Sequence, residues 1–174
     1  MQYFTQAIKN GLNAYRHRDE YAYFYGAKGQ RLTDATMDAL WNAEPNHFAK
    51  FSPEEKAQIF RNSRGKIGID CSAFVGWICT GDRQWSTGQI NNCSKITTPK
   101  EGTAGSILYT TFGGKGRHIG LDIGYGYVLD SGYESTDAIV ASNNHSIRLT
   151  RISEVAWEKS GQTRVLDYTG AANY

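Results

Sequence analysis

The sequence predicts a mixed α+β domain. Apolar residues recur at helical spacing before Gly81, period-two apolar runs appear after Gly105, and the two patterns are segregated along the chain. At 174 residues and 19.4 kDa the chain fits one domain, 1–174, long enough to bury a core. Neither an internal repeat nor a linker interrupts it.

Phe4, Ala7, Ile8, Leu12 and Tyr15 mark an amphipathic helix over about Gln2 to His17. Tyr21-Ala22-Tyr23-Phe24-Tyr25 is a short extended piece stopped by Gly26 and Gly29. Thr33 caps a second helix through Met37, Leu40 and Trp41, ending before Pro45. Ser52-Pro53-Glu54-Glu55 reads as a capping box with proline at the first helical position, opening a third helix to about Arg61. Asp70 then caps a helix that begins at Cys71 and carries Phe74, Trp77 and Ile78 on one face.

From Gly81 to Lys100 the chain is polar and turn-rich, a surface excursion carrying Cys93. Strands are expected at Ser106–Tyr109, His118–Ile123 and Tyr127–Asp130, with Gly124-Tyr125-Gly126 as the turn between the last two. Ala138–Ala141 and Arg164–Tyr168 are two further strand candidates, with Ser153 capping a short helix between them. Thr169 to Tyr174 reads as a loose tail.

The net charge of +2 arises from interspersed charges, which leaves no footprint of nucleic-acid binding. No stretch approaches eighteen apolar residues, and the start lacks a basic region followed by an apolar one, so neither a membrane span nor an export signal is expected. Cys71, Cys79 and Cys93 form no CxxC pair and imply neither a disulfide framework nor a zinc site. The abundance of tyrosine and tryptophan suits either a groove gripping sugar or peptide, or a tyrosine-rich sheet surface. Trp41, Trp85 and Trp157 are candidates for lining a groove, against the commoner place of large aromatics in the core or at its rim.

A cysteine thiol becomes a useful nucleophile at neutral pH when a helix N-terminus or an imidazolium stabilises its thiolate. Cys71 stands one residue past a cap, where first-turn N–H groups can also bind an oxyanion. The Asp70 carboxylate would repel a thiolate unless capping consumes it. Buried free cysteines are common and inert, so the second partner matters. His118 heads an alternating strand after Gly113-Gly114-Lys115-Gly116-Arg117, an approach that suggests an accessible imidazole.

Such an imidazole needs a polar partner to fix its tautomer. Asp122 has the right parity but lies about 13 Å along the strand. With a loop at Gly124-Tyr125-Gly126, His118 falls opposite Gly132 and Asp130 one pleat away on the same face; a one-residue slip would reverse this. His17 and His145 are assigned structural or surface roles.

Asp-Cys-Ser-Ala-Phe-Val at 70–75, His-Ile-Gly-Leu-Asp-Ile-Gly at 118–124 and Asp130 resemble, in order and spacing, the NlpC/P60 family of papain-like cysteine peptidases. That family shows Asp-Cys-Ser-Gly-Phe-Val, then His-Val-Gly-Ile-Tyr-Ile-Gly, then a third polar residue at the place Asp130 occupies. Tyr23-Phe24-Tyr25-Gly26-Ala27 is similar to its Tyr-x-x-Gly-Gly, giving Tyr23, or failing that Tyr25, a hydroxyl near the nucleophile. Glu101 to Leu108 is similar to the stretch reading Pro-Gly-Asp-Leu. The resemblance covers roughly residues 20–168, with 31–63 a helical insertion. Ala73 departs from the usual glycine and would place a methyl near the substrate. An acid at 130 replaces the more common histidine, and together with the helical insertion and Tyr-Gly-Ala-Lys-Gly-Gln at 25–30 it looks most like the lysin branch found in phages and gut bacteria.

The resemblance implies a papain-like fold, with the nucleophile helix packed on a largely antiparallel sheet. It also implies hydrolysis of peptidoglycan stem peptides by Cys71, His118 and Asp130, with Asp70, Ser72, Tyr23 and Tyr25 in support. The implied bond joins D-glutamate to a diamino acid. An N-acetylmuramoyl-L-alanine amidase remains the alternative, and a catalytically silent wall-binding module a rival of another class. No metal or organic cofactor is implied, and a monomer is expected. The implied place of action is the bacterial wall, reached by phage lysis, on a virion, by dedicated secretion, or as part of a secreted precursor.

Overall fold

The computed structural model describes residues 2–97, 104–133, 135–141 and 146–162. In chain order the elements are α1 (Gln2–Arg16), β1 (Tyr21–Ala22), β2 (Lys28–Arg31), α2 (Asp34–Ala43), α3 (Pro45–Phe48), α4 (Pro53–Ser63), β3 (Ile67–Ile69) and α5 (Cys71–Thr80). Then come β4 (Ser94–Thr97), β5 (Ile107–Thr110), β6 (His118–Gly124), β7 (Tyr127–Ser131), α6 (Thr136–Val140), β8 (Ile147–Arg151) and β9 (Lys159–Gln162). The molecule is mixed α+β and its strand pairs are mostly antiparallel. One sheet runs β4-β9-β5-β6-β7-β8, and a small one runs β1-β3-β2. Among the described residues no helix is long and apolar enough to cross a membrane.

Local signals produced the expected helices. Thr33 caps α2 by accepting from Thr36 N–H, and Ser52 and Glu55 close a reciprocal capping box on α4. Helix α5 is apolar all round and buried from Cys71 to Cys79, as a helix walled on several sides must be. It packs between α1 and strands β6 and β7. Gly81 ends it in the left-handed conformation, φ 80°.

Two cores result. The larger joins Ala7 and Ala14 of α1, Phe74, Trp77 and Ile78 of α5, and Ile107, Ile119, Leu121, Leu129 and Ile147 of the large sheet. The second gathers Tyr23, Phe24, Leu32, Met37, Phe48, Ile59, Phe60 and Ile139. Residues 31–63 are therefore no appendage, because their helices build a core that includes the segment bearing Tyr23.

Several expectations are corrected. Ala138 to Ala141 is not a strand, since α6 is helical up to Val140. Its start is fixed by Ser135 Oγ accepting from Ala138 N–H, and its last carbonyls by Asn62 Nδ2, which donates to Val140 O and Ala141 O. This local cap and the distant Asn62 amide together override the β preference of Ile139 and Val140. The stretch after Gly81 is not wholly a surface excursion, because Trp85 and Ile90 are buried and β4 pairs with β9. Strands β8 and β9 lie outside the expected set, and the short turn after β8 is capped from Arg151 rather than Ser153. Arg164–Tyr168, the tail and His145 lie outside the described residues.

Candidate active site

Antiparallel pairing of β6 with β7 sets Gly120 opposite Asp130. His118 is thereby one pleat from Asp130, as expected, but through a different turn. Gly124 pairs with Tyr127, Tyr125 and Gly126 form a two-residue loop at φ 55° and 78°, and one extra residue on β6 bulges out. The bulge restores the register that a three-residue loop would give. Asp122 is occupied elsewhere, its Oδ1 accepting from Gly124 N–H at 2.7 Å.

His118 is the first residue of β6 and Cys71 the first of α5. The two meet at one end of the helix–sheet interface, where a hydrogen bond and the charge of Cys71 both act on the imidazole. His118 Nε2 is 2.7 Å from Asp130 Oδ2, so Nδ1 is the ring nitrogen available to the thiol. His118 was expected to be accessible, but it is only 7% exposed and Asp130 is wholly buried. The imidazole ring is stacked near Trp157, centroids 5.6 Å apart, and near Phe112 at 6.0 Å. Of the three tryptophans considered for a groove, Trp157 alone reaches the site; Trp85 and Trp41 pack in the two cores.

Burial by itself would depress the imidazole pKa, but its hydrogen bonds to Asp130 and Cys71 and the charges of both overcome it and push His118 up to about 10. Burial would raise the Asp130 carboxyl, yet the hydrogen bond and charge of His118, with the guanidinium of Arg148, hold it below the usual carboxylate range. At neutral pH this is an imidazolium beside a carboxylate. An imidazolium facing a thiol favours the thiolate.

Asp70 is fully engaged. Its Oδ1 accepts from Ala73 N–H at 2.7 Å and from Ser72 Oγ at 2.8 Å, while Oδ2 accepts from Lys28 Nζ at 2.9 Å. Lys28 also donates to Ser72 Oγ and to Trp85 O. Capping and this half-buried ammonium thus answer the repulsion that a bare carboxylate would exert on a thiolate. Ala73 is buried in the larger core, so its methyl does not front a substrate.

Tyr23 feels the charge of the thiol. Burial first, and then the charges of Cys71, Tyr133 and Asp70, hold its hydroxyl well above the usual phenol range, so it stays a neutral donor. Its ring meets Tyr133 edge-on at 5.1 Å, and Lys50 Nζ donates to Tyr133 Oη at 2.8 Å. Tyr25 stacks face to face on His47 at 3.8 Å and is partly exposed, and burial with the charges of Glu44, Cys71 and Asp70 raises its hydroxyl as well, so it too feels the thiol. His17 is on the surface, paired with Glu20. Among the described residues no three His, Cys, Asp or Glu side chains converge as metal ligands.

Three contributors escaped the sequence reading. Arg148 faces Asp130 across the β7–β8 pair, Nε donating to Oδ1 at 2.9 Å and Nη2 to Oδ2 at 2.7 Å. The alternation Ile147-Arg148-Leu149 was its only signal. Ser131 Oγ donates to Ile69 O at 2.9 Å, tying the strand after Asp130 to the residues before Cys71. Lys28 had no local signal at all, because its partners are distant in sequence.

No protein-family model matches the chain, and no curated protein is significantly similar to it in sequence.

Proposed function

We propose that the protein is a papain-like cysteine hydrolase of the NlpC/P60 type, cleaving an amide bond in peptidoglycan stem peptides at the bacterial wall. One observation carries this reading: a thiol at the N-terminus of a buried helix faces a buried imidazole that a buried carboxylate holds 2.7 Å away. The papain-like assignment is supported by that helix packing on an antiparallel sheet whose strands supply base and acid.

In the proposed reaction the Cys71 thiolate attacks the amide carbon while the proton resides on His118. The N–H groups of Cys71 and Ser72, which precede the Ala73 N–H taken by the cap, bind the oxyanion. Collapse of the tetrahedral intermediate breaks the C–N bond as imidazolium Nδ1–H protonates the leaving amine. The neutral imidazole then takes a proton from water, whose hydroxide adds to the thioester. Loss of the Cys71 thiolate from that adduct frees the carboxyl product and restores the ion pair. Asp130 fixes the tautomer and charge of the imidazole throughout.

The bond between D-glutamate and the diamino acid is the favoured target. Digestion of purified peptidoglycans by the parent and by Cys71→Ala, with mass spectrometry of released fragments, tests this. New D-glutamyl carboxyl termini from the parent alone are expected. Free L-alanyl termini would reassign the bond to the amidase reaction, and equal release by both proteins would overturn the proposal.

A further inference from the structure

Asp130 carries two cations on one side chain, and the second of them has no part in the reaction as written. His118 Nε2 and Arg148 Nη2 both end on Oδ2 at 2.7 Å, so the nitrogens lie no more than twice that distance apart. Arg148 Nε holds Oδ1 as well, a fork that fixes the carboxylate plane. Gly132 leaves room for the arrangement. A Cβ there would stand 3.0 Å from Arg148 Nη2 and 3.2 Å from His118 Cε1.

We propose that Arg148 is a positioning residue that aims Asp130 at His118 and limits how strongly that carboxylate retains the imidazolium proton. When His118 gives its proton to a leaving group, a buried Asp130 paired with histidine alone would become an uncompensated anion, a costly state. The guanidinium does not titrate in this range. Arg148 keeps Asp130 ionised and paired in both states of His118, and as a like charge within about 4–6 Å it disfavours the imidazolium.

Among the described residues, Asp130 from β7 and Cys71 from α5 act on His118 directly, and Arg148 acts through Asp130 from β8. Tyr23 and Asp70 surround Cys71 rather than the imidazole. Glu158, next to Trp157, is tied to Thr110, Thr111 and Gly113, and Arg117 acts on Tyr25.

The role attributed to Arg148 rests on the proposed triad, so its test avoids wall hydrolysis. In a Cys71→Ser background, NMR titration of His118 reads the imidazole without a neighbouring thiolate. Arg148→Gln keeps a donor but removes the charge, and should raise the His118 midpoint by about one pH unit. An unmoved or lowered midpoint would overturn the proposal.

Arg148→Lys keeps the charge and loses the fork. It should leave the midpoint within a few tenths of a unit while slowing Cys71 alkylation in the native-cysteine protein at least tenfold at pH 7. Unchanged alkylation by the lysine variant would overturn the positioning role, and decides the matter if the glutamine variant fails to fold. Absence of wall hydrolysis by the parent would remove the proposed function without moving either readout.

Discussion

His118 gains a buried anionic partner on folding, which gives its titration a definite sign. Its folded pKa, about 10, lies above its unfolded value near 6.5. The stability it contributes is therefore complete below about pH 6.5 and is lost as pH rises through about 10. Asp130 has the opposite sign, its lowered carboxyl contributing stability above the unfolded carboxylate range and losing it on acidification. The melting-temperature gap between the parent and His118→Asn should be widest near pH 6 and shrink towards pH 10; a gap independent of pH would contradict the imidazolium. Cys71, His118, Asp130 and the Asp70 cap were legible because each depends on local signals or on the register of one hairpin. Arg148 and Lys28 were not, since Arg148 meets Asp130 only once β8 pairs with β7, and Lys28 meets Asp70 only once β2 pairs with β3.

Glycine at 120 and serine at 131 make the site possible at the scale of the elements. A Cβ at Gly120 would lie 2.6 Å from Val128 Cγ1 and 3.1 Å from the Trp157 ring, so Gly120→Ala must displace Val128 and also presses on the indole stacked near His118. Gly120→Ala is expected to destabilise by about 1–3 kcal/mol through overpacking and to slow Cys71 alkylation, both measurable on one preparation. Ser131→Ala removes the donor to Ile69 O and should cost about 1–3 kcal/mol in urea unfolding, since a buried carbonyl loses its partner. A loss under about 0.3 kcal/mol would mean that water replaces the hydroxyl.

The starts of α2, α4 and α5 were read correctly because caps are local, whereas the Ser153 cap and Ala138–Ala141 were misread. A short apolar β-branched run does not distinguish strand from buried helix, and Asn62, far away in sequence, helps to decide it. Strands β4 and β9 are polar and form by pairing with distant partners, so periodicity had nothing to detect.

Two cores hold the molecule, and the site lies where they adjoin: Cys71 belongs to the larger and Tyr23 to the smaller. Truncating the smaller core should therefore be felt at the nucleophile. Ile59→Ala is expected to cost about 2–5 kcal/mol and to alter Cys71 reactivity under conditions where the protein stays folded. Asp34→Asn, at an exposed ion pair with Arg64, should change stability by under about 1 kcal/mol. The α+β class was legible from the segregation of patterns, but the second core was not, because aromatic packing across residues 23–60 is a property of the assembled chain. On the proposed mechanism Cys71, alone of the three cysteines, is activated by His118. Burial pushes Cys79 up to about 12 and Cys93 up to about 11, which leaves both thiols protonated at neutral pH. Site-resolved alkylation by iodoacetamide at pH 7, read by peptide mass spectrometry, compares the three directly. Modification of Cys71 at least a hundredfold faster than Cys79 and Cys93, and slowed at least tenfold by His118→Asn, is the expected result; equal rates at the three cysteines, or a Cys71 rate indifferent to His118, would contradict it.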